Sequence, residues 1–195
     1  MSASQSAFAA LLGDGRVLTW GSGLSGGDSS GVQSHLSNVQ KIHATASAFI
    51  ATLGDGKAVT WGIPHGHHIQ DLLLHVQKVR ATMQGTSAAI LGDGSVLTWG
   101  SPGYAASNEM RRQLHHVQEI SVTDHAFAAL NGDGRIVTWG VPEFGGNSSS
   151  VQEELHHVQK IVATSGAFAV IVGEGRVVTW GKEEGGGNSE KVQDP

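Results

Sequence analysis

Gly173-Glu174-Gly175-Arg176-Val177-Val178-Thr179-Trp180-Gly181 occurs in similar form four times earlier in the chain, and this repetition determines the architecture. Each tryptophan lies in a Thr-Trp-Gly tripeptide, and a Gly-acid-Gly triplet always ends five positions before it. The five tryptophans are Trp20, Trp61, Trp99, Trp139 and Trp180. Their spacings of 41, 38, 40 and 41 residues divide the chain into five repeats of about 40 residues.

Each repeat has the local chemistry of β-structure. In the last repeat, the β-branched segment 158–163 predicts a first strand, and the apolar run 167–172 predicts a second. The triplet 173–175 then predicts a tight hairpin turn, since glycine adopts the positive φ that such turns require. Residues 176–180 return as a third strand, and the tryptophan is expected to pack as a wedge between neighbouring repeats.

A three- or four-stranded antiparallel sheet repeated every 40 residues or so is typical of a β-propeller blade. The sequence therefore predicts an all-β, propeller-like array of five short blades within a single repeat domain, residues 1–195. The approximate repeats are 1–37, 38–74, 75–115, 116–156 and 157–195. Two arrangements stay open, a small closed ring with a deficient seam and an open arc or partial ring. An open arc would expose strand edges and an apolar blade face, which favours self-association.

Irregular segments rich in glycine, serine and proline follow the tryptophans and are predicted to be loops. A more polar segment comes next, residues 151–157 in the fourth repeat, and it suits either a short outer strand or a single helical turn. The repeats agree in their framework and differ in these loops. Such a pattern favours loops that recognise a partner.

Composition excludes several classes of function. The chain has 28 glycines and no cysteine, so it has neither a disulfide framework nor a thiolate nucleophile, and the cytoplasm or nucleus is the expected compartment. A net charge of −5 argues against a general binder of nucleic acid or anionic membrane, because both need a basic surface. No secretory signal or membrane-spanning run is expected. No catalytic constellation recurs, so an enzyme is not expected.

The pattern Ala-x-Leu-x-Asp-Gly-x-Val-x-Trp-Gly, with an aromatic-Gly pair at Phe144-Gly145, resembles the repeats of the regulator of chromosome condensation. The repeat domains of HERC-type ubiquitin ligases and beta-lactamase inhibitor protein II share that superfamily. The resemblance covers essentially the whole chain and implies a propeller. The residues of a guanine-nucleotide exchange surface cannot be mapped onto this sequence one by one, since alanine or threonine stands where the family usually has a histidine before the turn. The catalytic ligase domain and the basic chromatin-binding tail have no counterpart in this sequence.

Two groups of residues are candidates for metal sites, and no cofactor is expected from either. The turn acids are Asp14, Asp55, Asp93, Asp133 and Glu174, and one acid per turn gives too few oxygens for calcium. We interpret them as turn residues. Three histidines, His65, His67 and His68, could approach a transition metal, but a flexible loop without a carboxylate at fixed spacing is a poor site.

The leading hypothesis is a non-enzymatic protein-interaction module. Its candidate binding residues are the loop aromatics and two histidine pairs, Tyr104, Phe144, His115, His116, His156 and His157. The histidine pairs occupy equivalent positions in consecutive repeats and suit either a polar loop entering a strand or a pH-sensitive partner surface. The alternative is a regulatory fragment of a guanine-nucleotide exchange or HERC-type ubiquitin-ligase assembly. A protein partner is expected in either case, with no nucleic acid and no membrane.

Overall fold

In the computed structural model, residues 1–62, 72–101 and 104–189 are described, and they form five three-stranded antiparallel sheets. The first two blades are β1 (Ser2–Ala3), β2 (Ala7–Leu11), β3 (Val17–Gly21), then β4 (Val39–Ala44), β5 (Ala48–Leu53), β6 (Ala58–Gly62). The third is β7 (Val76–Ala81), β8 (Ser87–Leu91), β9 (Val96–Trp99). The last two are β10 (Val117–Val122), β11 (Ala126–Asn131), β12 (Ile136–Gly140), then β13 (Lys160–Ala163), β14 (Ala167–Ile171), β15 (Val177–Gly181). The predicted all-β array of five blades is confirmed.

Short helical turns follow the blades, and the polar stretch 151–157 contains a helical turn and no outer strand. The 3₁₀ turns that follow third strands are Gly23–Ser25, Ser30–His35, Pro142–Phe144, Gln152–Glu154 and Glu183–Gly185, and a further one, Gly173–Gly175, lies in the last hairpin. Helix α1 (Asn108–Gln113) takes the corresponding place after the third blade. Its N-cap is Ser107, whose Oγ accepts a hydrogen bond from the Met110 amide at 3.2 Å, and this satisfies an amide that has no partner within the helix.

The hairpin turns follow the Gly-acid-Gly triplets, with one difference from the prediction. Of the two glycines in each triplet, only the second has a positive φ, as Gly134 does at 78°. In the first four hairpins the aspartate accepts a hydrogen bond from the amide two positions later, for example from Arg135 N to Asp133 Oδ1 at 3.1 Å. In the last hairpin Glu174 itself has a positive φ, of 64°. The first four turns therefore combine one left-handed glycine with one short side-chain acceptor.

Inner strands begin against the turn of the preceding blade. The Val158 amide donates to the Gly134 carbonyl at 3.0 Å, and the Val39 amide donates to the Gly15 carbonyl at 3.2 Å. A one-residue irregularity follows in β4, where Val39 pairs with Leu53 but Lys41 already pairs with Thr52. The skipped residue is the glutamine of the recurrent Val-Gln pair, and in β4, β7 and β10 that pair marks the bulged start of the inner strand.

The chain forms two compact units. The first comprises Met1–Gly92 with Trp99–Ser101, and its core joins blades one and two. The second comprises Asp93–Thr98 with Pro102–Pro195, and its core joins blades four and five. Both cores are built alike, from alanines on one blade and a Phe-Trp pair on the next. Alanines thus keep one blade thin where the aromatic rings of its neighbour pack.

Candidate protein-interaction surface

A cross-strand pair of aromatic rings marks four of the five blades. Phenylalanine lies directly opposite tryptophan on the adjacent strand, and the rings stack with centroids 5.0–5.4 Å apart. The pairs are Phe8–Trp20, Phe49–Trp61, Phe127–Trp139 and Phe168–Trp180. In the third blade, Ser87 takes the phenylalanine position and is buried.

The tryptophan joins its blade to the blade before it. Trp61 Nε1 donates to the Gly26 carbonyl at 3.0 Å, and Trp180 Nε1 donates to the Gly145 carbonyl at 2.9 Å. Both glycines cap the 3₁₀ turn that follows the preceding tryptophan. We call this contact the blade joint. The prediction that tryptophan acts as a wedge between repeats is confirmed at both joints.

The capping glycine is required in this joint for two reasons. Gly145 has a φ of 91°, and a Cβ at that position would lie 2.6 Å from Cδ2 of Phe168. Gly26 is in the same situation, with a φ of 88° and 2.6 Å to Cδ2 of Phe49. Any side chain would therefore be strained and would also strike the ring that the joint buries. The equivalent glycine of the last blade, Gly186, has a φ of 98°, but a Cβ there would meet no atom of the described chain within 4 Å.

A buried threonine ties the post-tryptophan turn to the strand beneath it. Thr123 Oγ1 donates to the Phe144 carbonyl at 3.0 Å and accepts from the Ala126 amide at 2.9 Å. Thr164 repeats both contacts, with the Gly185 carbonyl at 2.7 Å and the Ala167 amide at 3.1 Å, but it is exposed. The two residues form a natural pair for measuring the effect of burial on the same hydrogen bonds.

We expect Thr123→Val to lower the free energy of unfolding by about 1–3 kcal/mol, because it leaves a buried amide and carbonyl without their partner. Thr164→Val serves as the control and should cost less than about 1 kcal/mol, since water reaches the same groups. Urea denaturation followed by circular dichroism measures both values. Equal costs for the two variants would contradict the assignment.

The predicted aromatic anchors are both half-buried. Phe144 packs against the core of blades four and five. Its ring lies 4.2 Å from that of His125, centroid to centroid, and Lys182 Nζ lies 6.0 Å from its centroid. Tyr104 has an intermediate exposure in the loop after the third blade. Their role in binding a partner stays a prediction.

The histidine pairs are exposed, and their second members have a defined backbone role. His116 and His157 have φ values of 51° and 53°, in the left-handed region where histidine, asparagine and aspartate are enriched. His75 and Asn38 precede their inner strands in the same conformation, at 54° and 53°. Such a residue reverses the chain between the helical turn and the inner strand. The repeated histidine thus follows from local geometry, while partner binding by these residues stays a prediction.

The rings within each pair meet edge to face. The centroids of His115 and His116 are 5.6 Å apart, and those of His156 and His157 are 5.2 Å apart. His156 Nδ1 also lies 2.8 Å from the Glu153 carbonyl oxygen. Each pair therefore presents a compact aromatic and polar patch to solvent.

Four of the five turn acids, Asp14, Asp55, Asp93 and Asp133, accept a hydrogen bond within their own hairpin, as expected of turn residues. The Arg16 amide, and then its guanidinium, hydrogen-bonds Asp14 and lowers the pKa of that carboxyl. The Lys57 amide acts in the same way on the pKa of Asp55. Within the described ranges no group of three or more metal-ligating side chains is found. The loop histidines at 65, 67 and 68 lie outside the described residues.

His43, in the inner strand β4, is a titratable group that sequence patterns do not single out. Burial lowers its pKa to about 4, and the positive charges of Lys41 and Arg80 add to the effect. The unfolded chain, with an ordinary histidine pKa of about 6.5, binds the proton more tightly than the folded chain does. His43 therefore favours folding above pH 6.5, and that contribution is lost as the pH falls from about 6.5 towards 4.

We expect His43→Gln to flatten the pH dependence of stability in this window. Because the ring is partly solvated, the contribution to remove is about 1–2 kcal/mol. Urea unfolding midpoints at about pH 7.5, 5.5 and 4.5 give the measurement, and His35→Gln is the control because His35 is exposed. A wild-type slope that survives in His43→Gln would contradict the assignment.

Two apolar blade faces are open to solvent. On the first blade, Phe8 and Trp20 are each 44% exposed, and Leu18 is exposed on the same face. We call these three residues the head face. On the last blade, Val162, Ile171 and Val177 are exposed on the opposite side from the Phe-Trp pair, and we call these the tail face.

In the described part of the chain, no helix has the length and apolar character needed to cross a bilayer.

No protein-family model matches this sequence, and no curated protein does. Solved structures do match. Human WBSCR16 superposes with a TM-score of 0.55 at 16% identity, over 94% of this chain and 61% of that chain. Prp20p of Saccharomyces cerevisiae, a structure described with its binding to Gsp1p and histones, gives 0.57 at 17% identity, over 91% and 56%. The CRINKLY ectodomain of the Arabidopsis thaliana receptor kinase ACR4 gives 0.53 at 15%, over 92% and 61%.

The chain therefore spans about three fifths of the length of these solved chains. Prp20 is also described as yeast RCC1, in a structure bound to Kap60. The superposition extends over nearly all of the present chain, and it agrees with the repeat motif read from the sequence. This protein has the β-propeller repeat fold of the RCC1-like proteins.

Proposed function

We propose that this chain is a non-enzymatic protein-binding module of the cytoplasm or nucleus, whose loops after the tryptophans read a protein partner. One observation carries the proposal. The 3₁₀ turns Gly23–Ser25, Pro142–Phe144 and Glu183–Gly185 have the same backbone, each capped by a left-handed glycine. The side chains on these turns nevertheless differ, with the sequences Gly-Leu-Ser, Pro-Glu-Phe and Glu-Glu-Gly. A fixed backbone that carries varied side chains is how a rigid scaffold presents a binding surface.

The candidate contact residues are Tyr104, Phe144 and the histidine pairs. Aromatic side chains supply most of the energy of many protein interfaces, and the paired imidazoles add hydrogen-bonding groups at their edge. The hairpin tips are less suitable, because three of their five acids are paired with neighbouring bases. Arg16 Nε lies 2.7 Å from Asp14 Oδ2, and Lys57 Nζ lies 3.3 Å from Asp55 Oδ2.

Capture of proteins from the native source by three forms of the chain tests this proposal. The surface variant carries Tyr104→Ala, His115→Ala, His116→Asn, His156→Ala and His157→Asn. Asparagine is chosen at the two left-handed positions because Asn38 shows that it fits there. The tip variant, with Arg16→Ala, Lys57→Ala and Arg135→Ala, is the matched control. A partner retained by wild type and tip variant, and lost by the surface variant, supports the proposal. A partner retained equally by all three would overturn the assignment of these residues.

A second candidate function is a regulatory fragment of a guanine-nucleotide exchange or HERC-type ubiquitin-ligase assembly. The match to Prp20p favours it, since that protein is described by its binding to Gsp1p and histones. Direct binding of Gsp1p to the purified chain, followed by release of a labelled guanine nucleotide, is the test. Binding with accelerated release would select this function, and no binding would reject it.

Self-association through the open blade faces is part of the proposed module. Large apolar side chains rarely cluster on the surface of a soluble protein unless they meet a partner. The head and tail faces are places where such residues lie together on one blade surface.

A further inference from the structure

The blade joint is an interface whose two halves can be read from the structure. In the joint of blades four and five, Leu130 and Ile136 of blade four belong to the same buried core as Phe168 and Trp180 of blade five. The joint of blades one and two repeats this arrangement, with Val17 and a second Phe-Trp pair, Phe49 and Trp61. One half is thus an aliphatic face with a left-handed glycine, and the other is a Phe-Trp face.

The head face is an unfilled copy of the aromatic half. Phe8 and Trp20 stack at 5.4 Å, as the pairs inside the joints do. Leu18 corresponds to Val178 in the last blade, since each pairs with the residue two positions after the phenylalanine. Where the pair of the last blade is buried, however, Phe8 and Trp20 are open to solvent.

The tail face is a solvent-exposed copy of the aliphatic half. Ile171 pairs with Val177 across β14 and β15, just as Leu130 pairs with Ile136 across β11 and β12. Gly186 repeats the left-handed cap found at both joints. In both joints a phenylalanine ring lies beside that glycine, whereas no described atom lies within 4 Å of where a Gly186 Cβ would be.

We propose that a second copy of this chain occupies these faces, with the head face of one copy seated on the tail face of another. Trp20 Nε1 would then donate to the Gly186 carbonyl, and the Phe8 ring would fill the space beside Gly186. The contact reproduces the blade joint that the chain already forms twice. The aromatic half (head face) and the aliphatic half (tail face) are both exposed to solvent in the same chain. A contact between unlike faces is heterologous, so it joins copies head to tail. This inference rests on the proposed role as a protein-binding module and names a partner for that module.

Complementation between two variants of the full-length chain tests this contact. Trp20→Glu removes the head face and leaves the tail face, while Ile171→Glu does the reverse. Both residues are exposed, and circular dichroism with thermal melting checks that each variant is folded. Met83→Glu is the matched control, because Met83 is an exposed apolar residue outside both faces. Light scattering during gel filtration, over a range of concentrations, gives the mass of each species.

We expect the wild type and Met83→Glu to associate as concentration rises, and each face variant alone to be monomeric. Loss of a central tryptophan should weaken the contact by about 30-fold or more. An equimolar mixture of the two face variants should form a heterodimer and nothing larger, since each brings one intact face. The same mixing should shift the fluorescence of Trp20, supplied by the Ile171→Glu variant, to shorter wavelength. Trp20 can report the contact because the other four tryptophans are already buried.

Three results would overturn the inference. The first is a wild-type chain that stays monomeric at every concentration. This holds also if an added quencher fails to reach Trp20 in the monomer, since the head face would then be covered within one chain. The second is a dimer that survives Ile171→Glu, because it would pair like faces. The third is a mixture that fails to form the heterodimer. The surface variant described above should still self-associate, and the Trp20→Glu variant should still bind the protein partner captured from the native source. The two proposals can therefore be rejected independently of each other.

Discussion

Phe127→Ala should lower the free energy of unfolding by about 3–5 kcal/mol, the largest effect that we expect of a single substitution in this chain. Phe127 is fully buried, and its ring is stacked nearly parallel on that of Trp139, with centroids 5.0 Å apart. Removing the ring leaves a cavity that the closely packed atoms around it cannot close.

Phe8→Ala is the matched control for this prediction. Phe8 forms the same cross-strand pair with Trp20, but 44% of its surface is already exposed. Truncation there removes less buried apolar area and creates no closed cavity, so we expect a cost below about 1.5 kcal/mol. Chemical denaturation at low protein concentration, where self-association is minimal, measures both. Similar costs at the two sites would show that the stack itself, and not its burial, is the source of stability.

Gly145→Ala should destabilise the protein by about 2–4 kcal/mol, the second large effect. The alanine would be held at a φ of 91°, and its Cβ would lie 2.6 Å from Cδ2 of Phe168. The backbone strain and the forced displacement of the ring add to each other. The Trp180 indole would also lose its carbonyl acceptor if the turn moved to relieve the contact.

Gly186→Ala separates the two causes. Gly186 has nearly the same backbone conformation, with a φ of 98°, but no atom of the described residues lies within 4 Å of where its Cβ would be. Only the conformational strain remains, so we expect a cost of about 1 kcal/mol. Thermal melting of both variants provides the comparison. Equal losses would show that the clash with Phe168 is relieved without cost.

Much of the blade can be predicted from sequence, because its signals are local. The turn triplet, the β-rich runs and the tryptophan all act within a few residues of one another, so the strands and their pairing follow from spacing. The role of tryptophan as a wedge is also accessible, since a large ring in every repeat needs a repeated place to pack. The hydrogen-bond acceptor of the indole cannot be predicted from sequence, because Gly145 is 35 positions away from Trp180 and only the folded chain brings them together.

The candidate surface is less accessible for the same reason. The sequence predicts Phe144 as an exposed anchor in a variable loop, whereas the structure packs it partly into the core beside His125. The local sequence does not mark His43 as a partly buried group with a lowered pKa, because one of the positive charges that act on it, Arg80, comes from the inner strand of the next blade. The exposure of the Phe-Trp pair on the first blade cannot be predicted from sequence either, because the first repeat has the complete turn and tryptophan motif.

The left-handed residue before each inner strand changes how the histidines of this chain should be interpreted. Three repeats place histidine there and one places asparagine, with the same φ to within a few degrees. A site that tolerates both residues selects for a backbone conformation, and an imidazole can be fixed there before it has any chemical task. The backbone conformation alone would then account for the repeated imidazoles, and a binding surface could make use of them afterwards.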